Sequence, residues 1–338
     1  AQLSTALLVA GARALTAGYA GDARYLASAS NAWPPAVTAL ASVPRPRGVF
    51  SGARKADLVW RDDAGGLALW RMEGNAIAGT FFGIVPAPWE VADVGDANGD
   101  GKADLLWWNP DLGSAYLWFL DGTAITGFAD LGVVGDGWML VGSADFNGDG
   151  KADILFQREA DGLLYAWLLD GGGILAQGSP GTVPASWEVA GLADFDGDGK
   201  ADLLLRDDRN GGVAIWRMNG TALLGSTFLG TVDPDFWEVV AAADLDADGT
   251  ADILWAGANG DVWAWRMNGT AVESAAFVGN AGPGWAIHGV SDFTGDGRAD
   301  IVWRFVDGTT WLWVVDGFEV AAMAPIANPG GTWRIVAP

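Results

Sequence analysis

The chain has 338 residues, half of them hydrophobic, and 42 acidic against 19 basic residues give a formal net charge of −23. So negative a chain repels nucleic acids and anionic membranes, and neither is expected as a partner. The sequence has no cysteine, which excludes disulfides, thiolate metal sites and cysteine nucleophiles, and no apolar run reaches the roughly 18 residues of a membrane span.

Residues 1–45 show no repeat, are rich in alanine and contain Pro34, Pro35 and Pro44. They lack the basic segment of a signal peptide and look like the start of a mature chain. We expect an appended arm, helical with an extended portion. The alternative is a seventh, degenerate blade, because the segment is close to one repeat in length.

From residue 46 onward the chain repeats itself. An acidic loop begins at five regularly spaced aspartates, with intervals of 49, 49, 50 and 48 residues: Asp96, Asp145, Asp194, Asp244 and Asp292. A tryptophan lies seven residues before each of them. A sixth, degenerate copy reads "VFSGARKAD" and runs from Val49 to Asp57.

Each repeat contains short runs of Val, Ile, Leu and Trp bounded by Gly, Asn and Asp, which is the pattern of β-strands. The sequence "MNGTA", from Met218 and again from Met267, is a strong hairpin signal. About four antiparallel strands in each repeat indicate a β-propeller blade. The last segment, "TWRIVAP", can supply the first blade with its missing strand, so residues 46–338 predict six four-stranded blades in a closed ring.

The nine-residue loop "DFNGDGKAD" predicts a calcium site. Oxygen-bearing side chains occupy loop positions one, three, five and nine, and glycine at position six lets the carbonyl of position seven face the same centre. Calcium takes six to eight oxygen ligands. Without a cation, 17 carboxylates in five tight clusters would repel one another, which disfavours the alternative of a solvated acidic turn.

We therefore predict about five calcium ions, and none in the first repeat, where Val49, Ser51 and Ala53 replace the ligands. Position seven contributes its backbone carbonyl. The predicted ligand sets are Asp96, Asn98, Asp100, Lys102 and Asp104; Asp145, Asn147, Asp149, Lys151 and Asp153; Asp194, Asp196, Asp198, Lys200 and Asp202; Asp244, Asp246, Asp248, Thr250 and Asp252; and Asp292, Thr294, Asp296, Arg298 and Asp300.

The motifs "DANGDGKADLLW", "DFNGDGKADILF", "DFDGDGKADLLL", "DLDADGTADILW" and "DFTGDGRADIVW" resemble the FG-GAP/VCBS-type repeats of integrin α-chain propellers, bacterial surface proteins and fungal lectins. The resemblance covers residues 46–338. It implies a calcium-stabilised propeller, secreted or at the cell surface, that acts in adhesion or glycan binding. Seven blades are common in that family, whereas the repeats counted here give six.

No catalytic motif stands out, so we expect no enzyme. The single histidine, His288, takes a place where the other repeats have alanine or valine, and it is interpreted as a strand residue. A glycan-active enzyme built from carboxylates distant in sequence is the least favoured alternative.

A binding or adhesion module for glycans or a surface protein is the favoured function. Its candidate ligand contacts are three tryptophans that depart from the repeat, Trp108, Trp263 and Trp311, together with Arg217 and Arg266 of the "WRMN" hairpins. The alternative is a structural subunit of a filament or surface layer that assembles through residues 1–45.

Overall fold

A computed structural model of the chain describes residues 47–73, 76–327, 329–330 and 332–337, together with the short segments 18–19 and 28–29. The chain divides into two compact units, Ala1–Val43 and Pro44–Pro338. In the first unit, strands β1 (Gly18–Tyr19) and β2 (Ser28–Ala29) pair antiparallel. The arm or degenerate blade predicted for residues 1–45 otherwise lies outside the described residues.

The second unit is all β, with six antiparallel four-stranded sheets that form the blades of a propeller. The innermost strands are β6 (Glu90–Gly95), β10 (Trp138–Ala144), β14 (Trp187–Ala193), β18 (Trp237–Ala243), β22 (Trp285–Ser291) and β26 (Trp333–Ala337). Each contacts the innermost strands of the two neighbouring blades, so the six form a closed ring. The prediction of six blades is confirmed.

The remaining strands of each blade follow outward in chain order. The second strands are β3 (Leu58–Asp62), β7 (Asp104–Asn109), β11 (Asp153–Arg158), β15 (Asp202–Asp207), β19 (Asp252–Gly257) and β23 (Asp300–Phe305). The third strands are β4 (Gly66–Glu73), β8 (Ser114–Asp121), β12 (Leu163–Asp170), β16 (Gly212–Asn219), β20 (Asp261–Asn268) and β24 (Thr310–Asp316). The outer strands are β5 (Ala76–Ile84), β9 (Ala124–Val133), β13 (Gly173–Thr182), β17 (Ala222–Thr231), β21 (Ala271–Asn280) and β25 (Glu319–Ile326).

The C-terminal strand closes the ring, as the sequence predicts. Strand β26 pairs with β3, with Trp333 opposite Asp62 and Ile335 opposite Trp60, and so completes blade one. The pairing covers the inner edge of β3, which would otherwise be an unpaired strand edge. Blades two to six each begin with the innermost strand that precedes their acidic loop.

The hydrophobic core consists of six wedges, each between two neighbouring blades. Between blades one and two, for example, Val59 and Leu69 pack with Leu105 and Trp107. In four blades a buried second-strand tryptophan lies 4.8–5.0 Å from a third-strand tryptophan of the same blade. The repeated tryptophans therefore fill the wedges, as expected for large apolar side chains between sheets.

Buried arginines join three pairs of blades, which the sequence analysis did not predict. Arg61, Arg206 and Arg304 are at most 8% exposed, and each guanidinium lies 5.1–5.5 Å from a tryptophan ring of the next blade. Arg206 also donates hydrogen bonds to the carbonyls of Gly211 (2.6 Å) and Val232 (2.8 Å). These contacts depend on the charge, the planar shape and the hydrogen-bond donors of the guanidinium group. A lysine side chain could not reproduce all three.

A closed set of six backbone hydrogen bonds, here called the loop belt, links the acidic loops and their degenerate counterpart. The N–H of loop position eight donates to the carbonyl of position one in the preceding blade, at 2.6–2.8 Å. The pairs are Ala103 to Val49, Ala152 to Asp96, Ala201 to Asp145, Ala251 to Asp194, Ala299 to Asp244 and Ala56 to Asp292. Blade one takes part although its loop has lost every acidic residue except Asp57.

Arg47 lies across the centre of the ring, on the face that carries the loops. Its guanidinium lies 3.3 Å from the Asp93 carboxylate and donates to the Ser143 carbonyl at 2.8 Å, while its own carbonyl accepts the Ser291 hydroxyl at 2.8 Å. These partners belong to the innermost strands of three blades. Among the residues that the structure describes, no helix has the length and apolar character needed to cross a bilayer.

Candidate metal centre

The acidic side chains fold their own loops. In blade three, Asp145 accepts the N–H groups of Gly148 and Gly150, both at 2.7 Å. Asn147 accepts the N–H of Asp149 at 2.8 Å, and Asp149 accepts that of Lys151 at 2.9 Å. Such side-chain bonds to the backbone two residues on are Asx turns. Position one makes equivalent bonds in the other four acidic loops, and in each of them position five accepts the N–H of position seven.

Two loop positions require a left-handed backbone. In blade three these are Gly148, with φ of 79°, and Gly150, with φ of 84°. Among the described residues, the only non-glycine residues with positive φ are Ala247 (63°), at position four of blade five, and Arg54 (60°), at position six of blade one. The same turn therefore forms in every blade, at a cost in backbone strain where glycine is missing.

The aspartate at position nine bridges the loop to the third strand. Asp153 is fully buried; it accepts the N–H of Phe146 at 2.9 Å and that of Leu169 at 2.8 Å. The same two bonds recur at the ninth position of the other acidic loops. In blade one, Asp57 accepts the N–H of Met72 at 2.9 Å.

Sequence reasoning assigned the ninth aspartate to metal binding alone and missed this bridging role. The signal was present, since Asp57 is the one acidic residue kept in the degenerate first loop, where no metal is predicted.

Burial raises the pKa of the ninth aspartate, and the backbone N–H groups that it accepts oppose the shift only in part. The pKa rises to about 7 in Asp104, Asp153, Asp202 and Asp252 and to about 6 in Asp300. Burial likewise raises the pKa of Asp145, Asp194 and Asp244 at position one. Carboxylates that are costly to ionise when buried together gain from a bound cation.

The carboxylates converge closely enough for a single calcium ion. In blade four, oxygens of Asp194, Asp196 and Asp202 all lie within 4.8 Å of one another, and in blade five so do those of Asp244, Asp246 and Asp248. Oxygens that share one calcium at 2.3–2.6 Å can lie up to about 5 Å apart. These residues therefore fit a calcium ion, and the use of the seventh-position carbonyls stays a prediction.

Three of the acidic loops have an uncharged oxygen at position three, namely Asn98, Asn147 and Thr294. Their loop hydrogen bonds at positions one and five match those of blades four and five. In blade one, Ser51 and Ala53 instead border an open cavity together with Lys55 and Arg71. The two basic residues make this loop unfavourable for a cation.

The candidate ligand-binding tryptophans differ in exposure. Trp108 is 4% exposed and packs 5.7 Å from Phe156 of the next blade, which leaves no ring face for a ligand to stack on. It takes the strand position of the buried arginines and fills the same kind of wedge. Trp263 is 36% exposed, and Trp311 is half-buried in the wedge between blades five and six.

The two candidate arginines lie beside the acidic loops. Nη1 of Arg217 is 3.4 Å from Oδ2 of Asp196, and Nη2 of Arg266 is 3.0 Å from Oδ2 of Asp246. Each arginine thus faces position three of the loop in its own blade.

Comparison with known families identifies four overlapping FG-GAP-like repeats, at residues 96–156, 145–205, 194–255 and 244–303. Each match runs from one acidic loop to the second strand of the next blade. Together they span more than half of the chain. The comparison with curated proteins gives no match.

Among solved structures, the chain is similar to one of the Photorhabdus luminescens Tc holotoxin pore (17% identity, TM-score 0.52, 83% of this chain and 15% of that chain). It is also similar to one of a nidogen/laminin complex (11% identity, TM-score 0.53, 83% of this chain and 96% of that chain). At these identities the likeness concerns the fold alone. The four repeat matches establish the family, and the chain belongs to the FG-GAP-like repeat proteins.

Proposed function

We propose that this chain is a calcium-stabilised β-propeller that serves as an extracellular binding module, with a glycan or a surface protein as its ligand and no enzymatic activity of its own. The convergence of carboxylate oxygens within 4.8 Å in the loops of blades four and five carries the proposal. A chain without cysteine that depends on calcium suits an oxidising, calcium-rich exterior.

Calcium matches the donor set better than magnesium does. Three of the loops combine carboxylates with an amide or hydroxyl at position three, and the other two have carboxylates at all four side-chain positions. Calcium accepts such mixed oxygen sets, whereas magnesium demands a near-ideal octahedron and retains its waters. A bound calcium ion would neutralise carboxylates whose ionisation is opposed by burial.

Removal of calcium tests this first part. We expect about five ions per chain by elemental analysis and a large fall in melting temperature on chelation, because each ion bound only by the folded state adds about 2.7 kcal/mol at 100 times its Kd. Asp149→Asn should reduce the count to about four, while Ser51→Ala in blade one should leave it unchanged. A metal-free protein with no response to chelation would refute the calcium role.

The ligand surface is proposed on blades four to six. Trp263 and Phe277 of blade five are 36% and 49% exposed, with ring centroids 5.7 Å apart. Phe228 is 61% exposed at the corresponding place in blade four, and Trp311 occupies the place of Trp263 in blade six. Exposed aromatic rings on adjacent blades can stack on sugar faces or anchor a protein partner.

A glycan array probed with the calcium-loaded protein tests this second part, and the same module should be screened against surface proteins. Trp263→Ala and Phe277→Ala should each abolish binding. Phe128→Ala is the matched control, because Phe128 is 58% exposed on the outer strand of blade two. Binding that survives Trp263→Ala would place the ligand elsewhere.

A further inference from the structure

The acidic loops fall into two kinds according to position three. Blades four and five have a carboxylate there, Asp196 and Asp246, whereas the other three acidic loops have Asn98, Asn147 and Thr294. Two loops therefore contain four carboxylates and three loops contain three.

One position in the third strand varies in step with loop position three. It precedes the residue whose N–H binds the ninth aspartate. In blades four and five it is Arg217 and Arg266. In blades two, three and six it is apolar: Phe119, Leu168 and Val314.

The contacts show why the two positions vary together. In blade four, Oδ1 of Asp196 accepts the N–H of Asp198 at 3.2 Å, while Oδ2 faces Nη1 of Arg217 at 3.4 Å. The side chain of Asp196 is 20% exposed and that of Arg217 42% exposed, so the pair is partly shielded from water. Asp246 and Arg266 repeat the arrangement, although Arg266 also lies 3.2 Å from the Glu273 carboxylate.

We infer that Arg217 and Arg266 are positioning residues that hold the third carboxylate and offset its charge, so that four ligand carboxylates and one arginine carry the same −3 as the three ligand carboxylates of the other loops. The inference rests on the proposed calcium role. The fourth carboxylate increases attraction for the ion but also repulsion among the ligands when the ion is absent, and the arginine offsets both effects.

Blade one also has an arginine at this position, Arg71, but its loop lacks the calcium ligands at positions one, three and five. Arg71 therefore does not bear on the pairing of an aspartate at position three with an arginine, which concerns only the loops predicted to bind calcium. Because Arg217 has no second acidic partner among the described ion pairs, blade four offers the cleaner test.

The test is a double-mutant cycle in the full chain, read by equilibrium dialysis over a series of free calcium concentrations and by melting temperature in metal-free buffer. Asp196→Asn should raise the free calcium concentration at which one of the ions binds by about tenfold, because one negative charge near the ion is lost. Arg217→Leu should lower that concentration by about tenfold and should reduce the metal-free melting temperature. The double variant reproduces the Asn147 and Leu168 pair of blade three, and both readouts should return close to wild type.

Blade three provides the reverse experiment. Asn147→Asp alone should reduce the metal-free melting temperature, and the reduction should be smaller when it is made in a Leu168→Arg background, a comparison that corrects for the loss of the buried Leu168 side chain. Additive effects in both blades, or an Arg217→Leu variant with unchanged calcium dependence, would overturn the inference. If Arg217→Leu does not fold, Arg266→Leu gives the same reading in blade five.

A wild-type protein that binds no calcium would refute the proposed function instead. The melting temperatures in metal-free buffer would still decide whether the arginine offsets the fourth carboxylate.

Discussion

At the scale of single residues, the loop turn is set by backbone geometry as much as by acidic side chains. Arg54 adopts a φ of 60° at position six of blade one, where the acidic loops have glycine. A non-glycine residue in this region costs about 1–2 kcal/mol, part of which glycine loses again through its greater freedom in the unfolded chain. Arg54→Gly is therefore expected to increase the free energy of unfolding by about 0.5–1 kcal/mol in urea titrations.

Gly150→Ala is the matched opposite of that change. Gly150 has a φ of 84° at position six of blade three, and a Cβ there would meet no atom within 4 Å. The substitution thus introduces backbone strain without a clash, and it should destabilise by about 1 kcal/mol. A stabilising Gly150→Ala, or a destabilising Arg54→Gly, would contradict this account of the turn.

The bridging role of the ninth aspartate can be separated from metal binding in blade one. Asp57→Ala leaves the buried N–H of Met72 without its acceptor, which should cost about 1–3 kcal/mol. Because loop one lacks the other ligands, the fall in melting temperature should be the same with and without calcium. Asp149→Asn, at an exposed position five, keeps an acceptor for the Lys151 N–H and should lower the melting temperature only when calcium is present. A calcium-dependent effect of Asp57→Ala would show that blade one binds an ion after all.

At the scale of elements, the contacts between blades decide stability, and the buried arginines are the clearest case. Arg206 lies over the ring of Trp255 at 5.1 Å and donates to two carbonyls. Removing both kinds of contact with Arg206→Ala should cost about 2–4 kcal/mol. Gln157→Ala, at the same strand position of blade three, should cost less than about 1 kcal/mol. If the two variants lose equal free energy of unfolding in urea titrations, Arg206 contributes no more than the volume that its side chain occupies.

The repeat made blades, hairpins and acidic loops predictable, because each depends on residues close together in the sequence. Ring closure was predictable because the last segment repeats the strand that blade one lacks. Asp145 and Asp153, for example, are eight residues apart and belong to one turn. The pairing of Arg217 with Asp196 was not predicted, because the distance between them is fixed only when the third strand docks. Trp108 was misjudged for the same reason: whether an aromatic ring is exposed depends on Phe156 of the next blade.

At the scale of the whole molecule, pH and calcium should act on stability together. In the metal-free protein the ninth aspartates have a folded pKa of about 7, or about 6 for Asp300, above the unfolded value of about 3.9. The folded state then binds more protons than the unfolded state, so the contribution of these groups to stability is fully present below pH 4 and is lost as pH rises through 7.

Melting temperatures in metal-free buffer should therefore be higher at pH 5 than at pH 7.5. Calcium needs ionised ligands, so its stabilising effect should be larger at pH 7.5 than at pH 5. Thermal unfolding at both pH values, with and without calcium, checks the two signs. A metal-free protein that gains stability as pH rises would show that burial does not control these carboxylates.

The loop belt has a mechanical consequence. Its six bonds join every blade to both neighbours through main-chain atoms, including blade one, where no ion is expected. Because the loop belt is closed, detaching any one blade requires two of its six bonds to break. A pulling force applied to one blade, as by a partner on the proposed ligand surface, would be shared by the neighbouring blades on both sides.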